Sequence, residues 1–168
     1  MGKPQAAEAV TFRPIRPQDE AFLLRLYAST RQEEMALVDW SEEQKEAFLR
    51  FQFEAQHQYY QQQFPEARFD LILLDGEPAG RLYLHRRPDE IRLIDIALLP
   101  EHRGRGLGGA LMRQILADGE EVGLPVRIHV ERNNPALRLY HRLGFESIED
   151  QEVYYLMEWR PAGAGGAS

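Results

Sequence analysis

The residues most able to do chemistry gather around one junction. Gly104, Gly106, Gly108 and Gly109, with Arg103 and Arg105 among them, follow the apolar run IDIALL and Pro100 and lead into an amphipathic segment. Such a run reads as a buried strand and the amphipathic segment as a helix, so the junction predicts strand, tight loop, helix start. Backbone N–H groups at a helix start have no partner within the helix, and glycines let an anion approach them closely. With two guanidiniums added, the expected ligand carries phosphate. Two further side chains could act beside it. Asp95 interrupts the apolar run, where a carboxylate without a purpose is costly. His129 lies in VRIHV, where alternation sets Arg127, His129 and Glu131 on one face and Val126, Ile128 and Val130 on the other. The imidazole then points away from the packed side, toward any cleft.

The spacing Gly104-x-Gly106-x-x-Gly109 also matches a dinucleotide fingerprint, with Glu131 where a ribose-binding acid would stand. That fingerprint belongs to the first strand-helix unit of a doubly wound sheet. Here it comes late, with too little chain left for further alternating units. A Walker loop is excluded because no Gly-Lys-Ser/Thr follows.

The elements around the junction can be read in order. Thr11 to Arg16 makes a short strand, and Pro17 opens a helix carrying Phe22, Leu23, Leu26 and Tyr27. Arg31 to Trp40 reads as a connection. Ser41 and Gln44 form a capping box for a long helix to about Phe64. Its two apolar stripes, Phe48-Phe51-Ala55-Tyr59 and Leu49-Phe53-His57-Tyr60-Phe64, are expected in the core, the alternative being that one walls a substrate pocket. Arg68 to Asp75 and Pro78 to Arg86 make a hairpin about Asp75-Gly76-Glu77, and Glu90 to Leu99 adds a third antiparallel strand. A helix from about Gly104 to Glu121 crosses to the strand VRIHV, which must run parallel to its predecessor. A short helix, Ala136 to Leu143, is stopped by Gly144, and strands Phe145 to Ile148 and Val153 to Trp159 close an α+β fold.

The totals narrow the function classes. The 168 residues suit one domain, expected over 10–160, with loose tails at 1–9 and 161–168. A net charge of −7 argues against nucleic acid or an anionic membrane as partner. The chain has no cysteine, which excludes disulfides, thiol nucleophiles and cysteine-metal sites. No apolar run approaches the roughly 18 residues of a membrane span, and the first ten residues lack a signal-peptide core, so a cytoplasmic protein is expected.

The segment Arg103-x-x-Gly106-x-Gly108 after IDIALLPEHR, followed by NNPALRLYHRLGFE from Asn133 to Glu146, closely resembles the GNAT superfamily of acyl-CoA N-acetyltransferases. The motifs cover about residues 90–146. The resemblance implies a mixed sheet of six to seven strands, an antiparallel N-terminal meander, a parallel central pair joined by a crossover helix, and helices on both faces. It implies acetyl-CoA as acyl donor, with pantetheine along Ile96, Ala97 and Leu98 and pyrophosphate over Arg103, Gly104, Arg105, Gly106, Leu107, Gly108 and Gly109. Asn134 and Tyr140 complete that site, and Tyr140 matches the family's general acid. His129 resembles a catalytic histidine of some N-terminal acetyltransferases, with Asp95 the second candidate base. Tyr154 and Tyr155 resemble a pair beside the peptide site of such enzymes. The expected activity is direct acetyl transfer to a primary amine in a ternary complex, without metal, by a monomer or homodimer. A CoA-binding module without activity, or a nicotinamide oxidoreductase, would be the alternatives.

Overall fold

A computed structural model describes residues 9–165. The expected loose ends at 1–8 and 166–168 lie outside the described residues, whereas Ala162–Gly165 forms a short helix (α6). Its first N–H is received by the Glu120 carboxylate.

Seven strands form one mixed sheet: β1 (Val10–Pro14), β2 (Arg68–Leu74), β3 (Glu77–Arg86), β4 (Ile91–Leu98), β5 (Val126–Glu131), β6 (Glu146–Gln151) and β7 (Tyr154–Trp159). Their order is β1-β2-β3-β4-β5-β7-β6. β1 and β2 are antiparallel, β4 and β5 parallel, and β7 is antiparallel to both β5 and β6. The β2–β3 turn is Asp75-Gly76, with φ of 49° and 84°, both left-handed as a two-residue hairpin turn requires.

Contacts divide the chain into two compact units, one holding the residues up to Leu82 with Ala97–His102, the other Tyr83–Ile96 with the chain from Arg103 on. In the first, helices α1 (Glu20–Ser29) and α3 (Glu42–Gln63) pack Leu23, Tyr27, Leu49 and Phe53 around Leu71 of β2. Only one stripe of α3 is core. Leu49 and Phe53 are buried, whereas Phe51 and Tyr59 are 72% and 57% exposed, so the expectation that both stripes pack fails for the stripe that holds Phe51 and Tyr59. Of that stripe, Phe48 packs edge-on against Trp40 at 5.1 Å, while Phe51 and Tyr59 face outward. The expected connection after α1 contains a helix, α2 (Gln32–Ala36). Its Gln-Glu-Glu-Met-Ala sequence consists of good helix formers with acids at the N-terminal end. Pro17–Asp19 forms a 3-10 turn before α1, held by Asp19, whose carboxylate accepts from Arg13 at 2.8 and 2.9 Å and from the Arg16 N–H at 2.7 Å.

In the second unit, α4 (Leu107–Val122) buries Leu111, Met112, Ile115 and Leu116, and β5 buries Val126, Ile128 and Val130, as alternation requires. The short helix α5 (Leu137–Arg142) follows β5 and buries Tyr140 against Phe145, with ring centroids 5.7 Å apart.

Candidate active site

The glycine-rich sequence after β4 folds as a loop feeding a helix. Gly104 and Gly106 have φ of +72° and +82°, which side-chain-bearing residues rarely adopt, and nothing lies within 4 Å of a Cβ built on either. Those two angles also explain why α4 begins at Leu107 and not at Gly104: left-handed residues cannot enter a right-handed helix. Gly106 is the residue before the helix, and its carbonyl accepts from Ala110 at 3.0 Å. At Gly104 and Gly106 the approach to the start of α4 is therefore uncrowded. One turn along, the Arg113 guanidinium lies 3.5 Å from where a Cβ of Gly109 would be, a third cation that the sequence reading passed over. Its signal was the i, i+4 spacing from a loop glycine.

Beside this loop the central strands part. The β4–β5 ladder pairs Ile91 with Val126, Arg92 with Arg127 and Leu93 with Ile128, and there it ends, although β4 runs on to Leu98 and β5 to Glu131. Ile94, Asp95 and Ile96 are half-buried along the diverging stretch. In the first unit, Ala97 and Leu98 meet β3 closely: Leu99 donates to the Ala79 carbonyl at 2.9 Å, and a Cβ on Gly80 would stand 2.2 Å from the Ala97 oxygen.

Tyr140 and Asp95 come together electrostatically. Tyr140 is 4% exposed; burial first, and then the Asp95 carboxylate, push its phenol up from 10.0 to about 12. The phenol therefore stays protonated across the neutral and moderately alkaline range. Alternation explains the pairing, because Asp95 is in phase with Ile91 and Leu93, whose β5 partners, Val126 and Ile128, are on the packed face.

His129 has different surroundings. It reaches solvent from the opposite face of β5, and its Nδ1 contacts the Arg92 guanidinium. Neighbours that desolvate the ring, and then Arg92, hold its imidazole below the ordinary value, opposed by Glu149, Gln151 and Glu90. The Tyr154 ring stands edge-on at 6.5 Å. A dense ionic network continues along this face. Buried Glu90 accepts from Arg87 and Arg127 at 2.9 Å each, and Glu158 from Arg127 at 2.8 Å and Arg160 at 2.6 Å. Arg92 and Glu90 escaped the sequence reading because only the pairing of β4 with β5 brings Arg92, and the Glu90 just before β4, to the face that carries His129.

Asn134 is used locally. Its side-chain oxygen accepts from the Ala136 N–H at 2.8 Å, an Asx turn that starts the chain into α5. Tyr155 lies under the Arg132 guanidinium, 4.7 Å from ring centroid to Cζ. In the first unit a groove of about 510 Å³ is lined by Leu23, Phe53 and His57 among others, none of them a residue that the sequence singled out for the donor or the reaction. Among the described residues there is no cluster of side chains suited to a metal ion, and no helix long and apolar enough to cross a membrane.

Comparison with known proteins agrees with this geometry. The chain is 37% identical over 84 residues to a mycothiol acetyltransferase of Thermobifida fusca, a match covering 49% of this chain and 23% of that protein. It is 31% identical over 108 residues to an N-alpha-acetyltransferase of Sulfurisphaera tokodaii, covering 54% of this chain and 63% of the relative. In each case less than two thirds of the relative is spanned. Among solved structures, the PaiA N-acetyltransferase of Thermoplasma acidophilum in complex with coenzyme A shares the fold at a TM-score of 0.66 and 19% identity, covering 90% of this chain and 99% of that one. The ribosomal-protein-S18-alanine N-acetyltransferase of Escherichia coli does so at 0.60 and 18%, covering 90% and 94%. The acetyltransferase (GNAT) family model matches residues 34–145, which take in the glycine loop, the parting strands and Tyr140, and the chain belongs to that family.

Proposed function

We propose that this chain is an acyl-CoA-dependent N-acetyltransferase that moves an acetyl group directly to a primary amine within a ternary complex. The observation that carries the reading is the loop with left-handed, uncrowded Gly104 and Gly106 at the start of α4, adjoining strands that part. Those residues fit coenzyme A. Gly104 and Gly106 leave the helix N-terminus open to a pyrophosphate, Arg103, Arg105 and Arg113 supply cations near it, and Ile96, on the stretch of β4 past its ladder with β5, offers backbone to an extended arm. Leu107, Gly108 and Gly109 belong to the same N-terminal turn. When bound, the cosubstrate supplies an acyl carbon activated as a thioester.

The residues divide the proton work. A bond forms between amine nitrogen and acyl carbon, and the carbon–sulfur bond breaks. Tyr140, whose phenol holds its proton to about pH 12, gives that proton to the departing sulfur. The amine must shed a proton as it attacks, and Asp95, on the Tyr140 side of β4, accepts it directly or through an ordered water. His129 is the second candidate base; its Nδ1 lone pair faces Arg92, which favours Asp95. Asn134, through its bond to the Ala136 N–H, sets the turn that presents α5 and Tyr140.

The acceptor is an amine-bearing molecule, and the chain is expected to act in the cytoplasm as a monomer or homodimer. The test is thiol release from acetyl-CoA across small amines, aminoglycosides and peptides with free N-termini. Turnover with any of them supports the reading. Acetyl-CoA binding without turnover on a broad panel would favour a regulatory module.

A further inference from the structure

The contact between Arg92 and His129 decides which ring nitrogen can carry hydrogen. A guanidinium has donors and no acceptor, so the nitrogen it faces must present its lone pair. That nitrogen is Nδ1, and in the neutral ring the hydrogen is then on Nε2. Arg92 is itself held. Its side chain is 14% exposed, and the carboxylate of Glu90, 6% exposed, lies 3.7 Å away. The Tyr154 ring of β7 stands edge-on to the imidazole at 6.5 Å, and Glu149 of β6 adds negative charge. Arg127 and Glu131 share this face of β5, and Tyr154 and Glu158 share it on β7.

We propose that Arg92 is a positioning residue that holds His129 as the Nε2–H tautomer, and that the chain Glu90–Arg92–His129–Tyr154 fixes the β6–β7 hairpin for the acceptor instead of supplying the base. The part that concerns the acceptor rests on the acetyltransferase reading; the tautomer does not. A ring whose proton-accepting lone pair already receives a hydrogen bond must give up Arg92 before it can take a proton from an amine. The same bond leaves an imidazole that joins three neighbouring strands of the sheet, since Arg92 is on β4, His129 on β5 and Tyr154 on β7.

The test is nitrogen-15 NMR of the imidazole in the whole protein, followed through pH, beside the pH profile of kcat/KM for whichever amine turns over. In the wild type, Nδ1 should resonate as an unprotonated nitrogen and Nε2 as a protonated one. The ring should titrate below the ordinary histidine range, at a pH distinct from the acidic limb of the rate. Arg92→Met should mix the tautomers, raise the titration midpoint and raise KM for the acceptor more than it lowers kcat, while Arg92→Lys, which keeps a cationic donor, should restore the wild-type tautomer. A wild-type ring protonated on Nδ1 would overturn the proposal even if Arg92→Met did not fold. So would an acidic limb that coincides with the ring's titration and moves with it in Arg92→Met. Loss of turnover on every amine, with the tautomer as expected, would count against the acetyltransferase reading and leave the Arg92–His129 arrangement standing.

Discussion

With Tyr140 buried and Asp95 close enough to repel a phenolate, the hydroxyl at this position keeps its proton at neutral pH, as a proton donor must. Tyr140→Phe should lower kcat by about 10²-fold or more, the usual contribution of a positioned proton donor, with little change in affinity for coenzyme A by calorimetry. The same shift has a stability sign. The unfolded phenol ionises near 10.0 and the folded one near 12, so this contribution is intact below pH 10 and is lost as pH rises toward 12. Tyr140→Phe should flatten that alkaline decline in denaturant titrations. At this scale the sequence was informative wherever a residue type clashed with its context: Asp95 in an apolar strand, four glycines beside arginines. It was silent about Arg92, whose importance lies in reaching diagonally past its ladder partner Arg127 to His129. Strand register depends on long-range pairing and leaves no local mark.

Between β1 and α1, the 3-10 turn depends on one carboxylate. The hydrogen bonds from Arg13 hold the Asp19 pKa below the ordinary carboxylate value against the opposing effect of burial. A lowered folded value stabilises the protein above the unfolded pKa, about 3.9, and that stability is lost as pH falls through the folded value. Asp19→Asn should therefore lower stability at pH 7 and shrink the difference from wild type in acid, as measured by urea titrations at several pH values. The loop before α4 makes a different demand. Gly106→Ala forces a Cβ-bearing residue to a φ of +82° at a cost of about 1–2 kcal/mol, and should weaken acetyl-CoA binding by crowding the helix N-terminus. Gly80→Ala is a packing test, since its Cβ would fall 2.2 Å from a backbone oxygen. It should destabilise toward the upper end of the about 1–3 kcal/mol typical of overpacking, visible as a lower urea midpoint. The Asp75-Gly76 hairpin, the crossover helix and the capping box at Ser41 were legible because each has a local chemical signature. The helix α2 was missed because five residues are too few to show a period. The outward stripe of α3 was misread because aromatic content alone does not say which face packs.

For the molecule as a whole, the first measurement is a comparison of ligands by thermal shift. Acetyl-CoA at about 100 times its Kd should add about 2.7 kcal/mol, and at about 2–4 °C per kcal/mol for a chain of this size the Tm should rise by roughly 5–10 °C. NAD should leave it unchanged; stabilisation by NAD alone would sink the acetyltransferase reading. The fold class was readable because order carried it: three antiparallel strands, a glycine loop, a crossover helix and a closing hairpin, a succession that few architectures satisfy. The acceptor was not, since no local motif encodes its chemistry. The three-rung ladder between β4 and β5 has one more consequence. A sheet whose central strands part early has an edge inside it as well as at its two sides. An extended ligand bound along that edge works as a temporary strand, linking the folding equilibrium to cosubstrate supply. Amides of Ile94 and Ile96 should then exchange with deuterium more slowly as acetyl-CoA rises, and the protein should resist proteolysis best when its acyl donor is abundant.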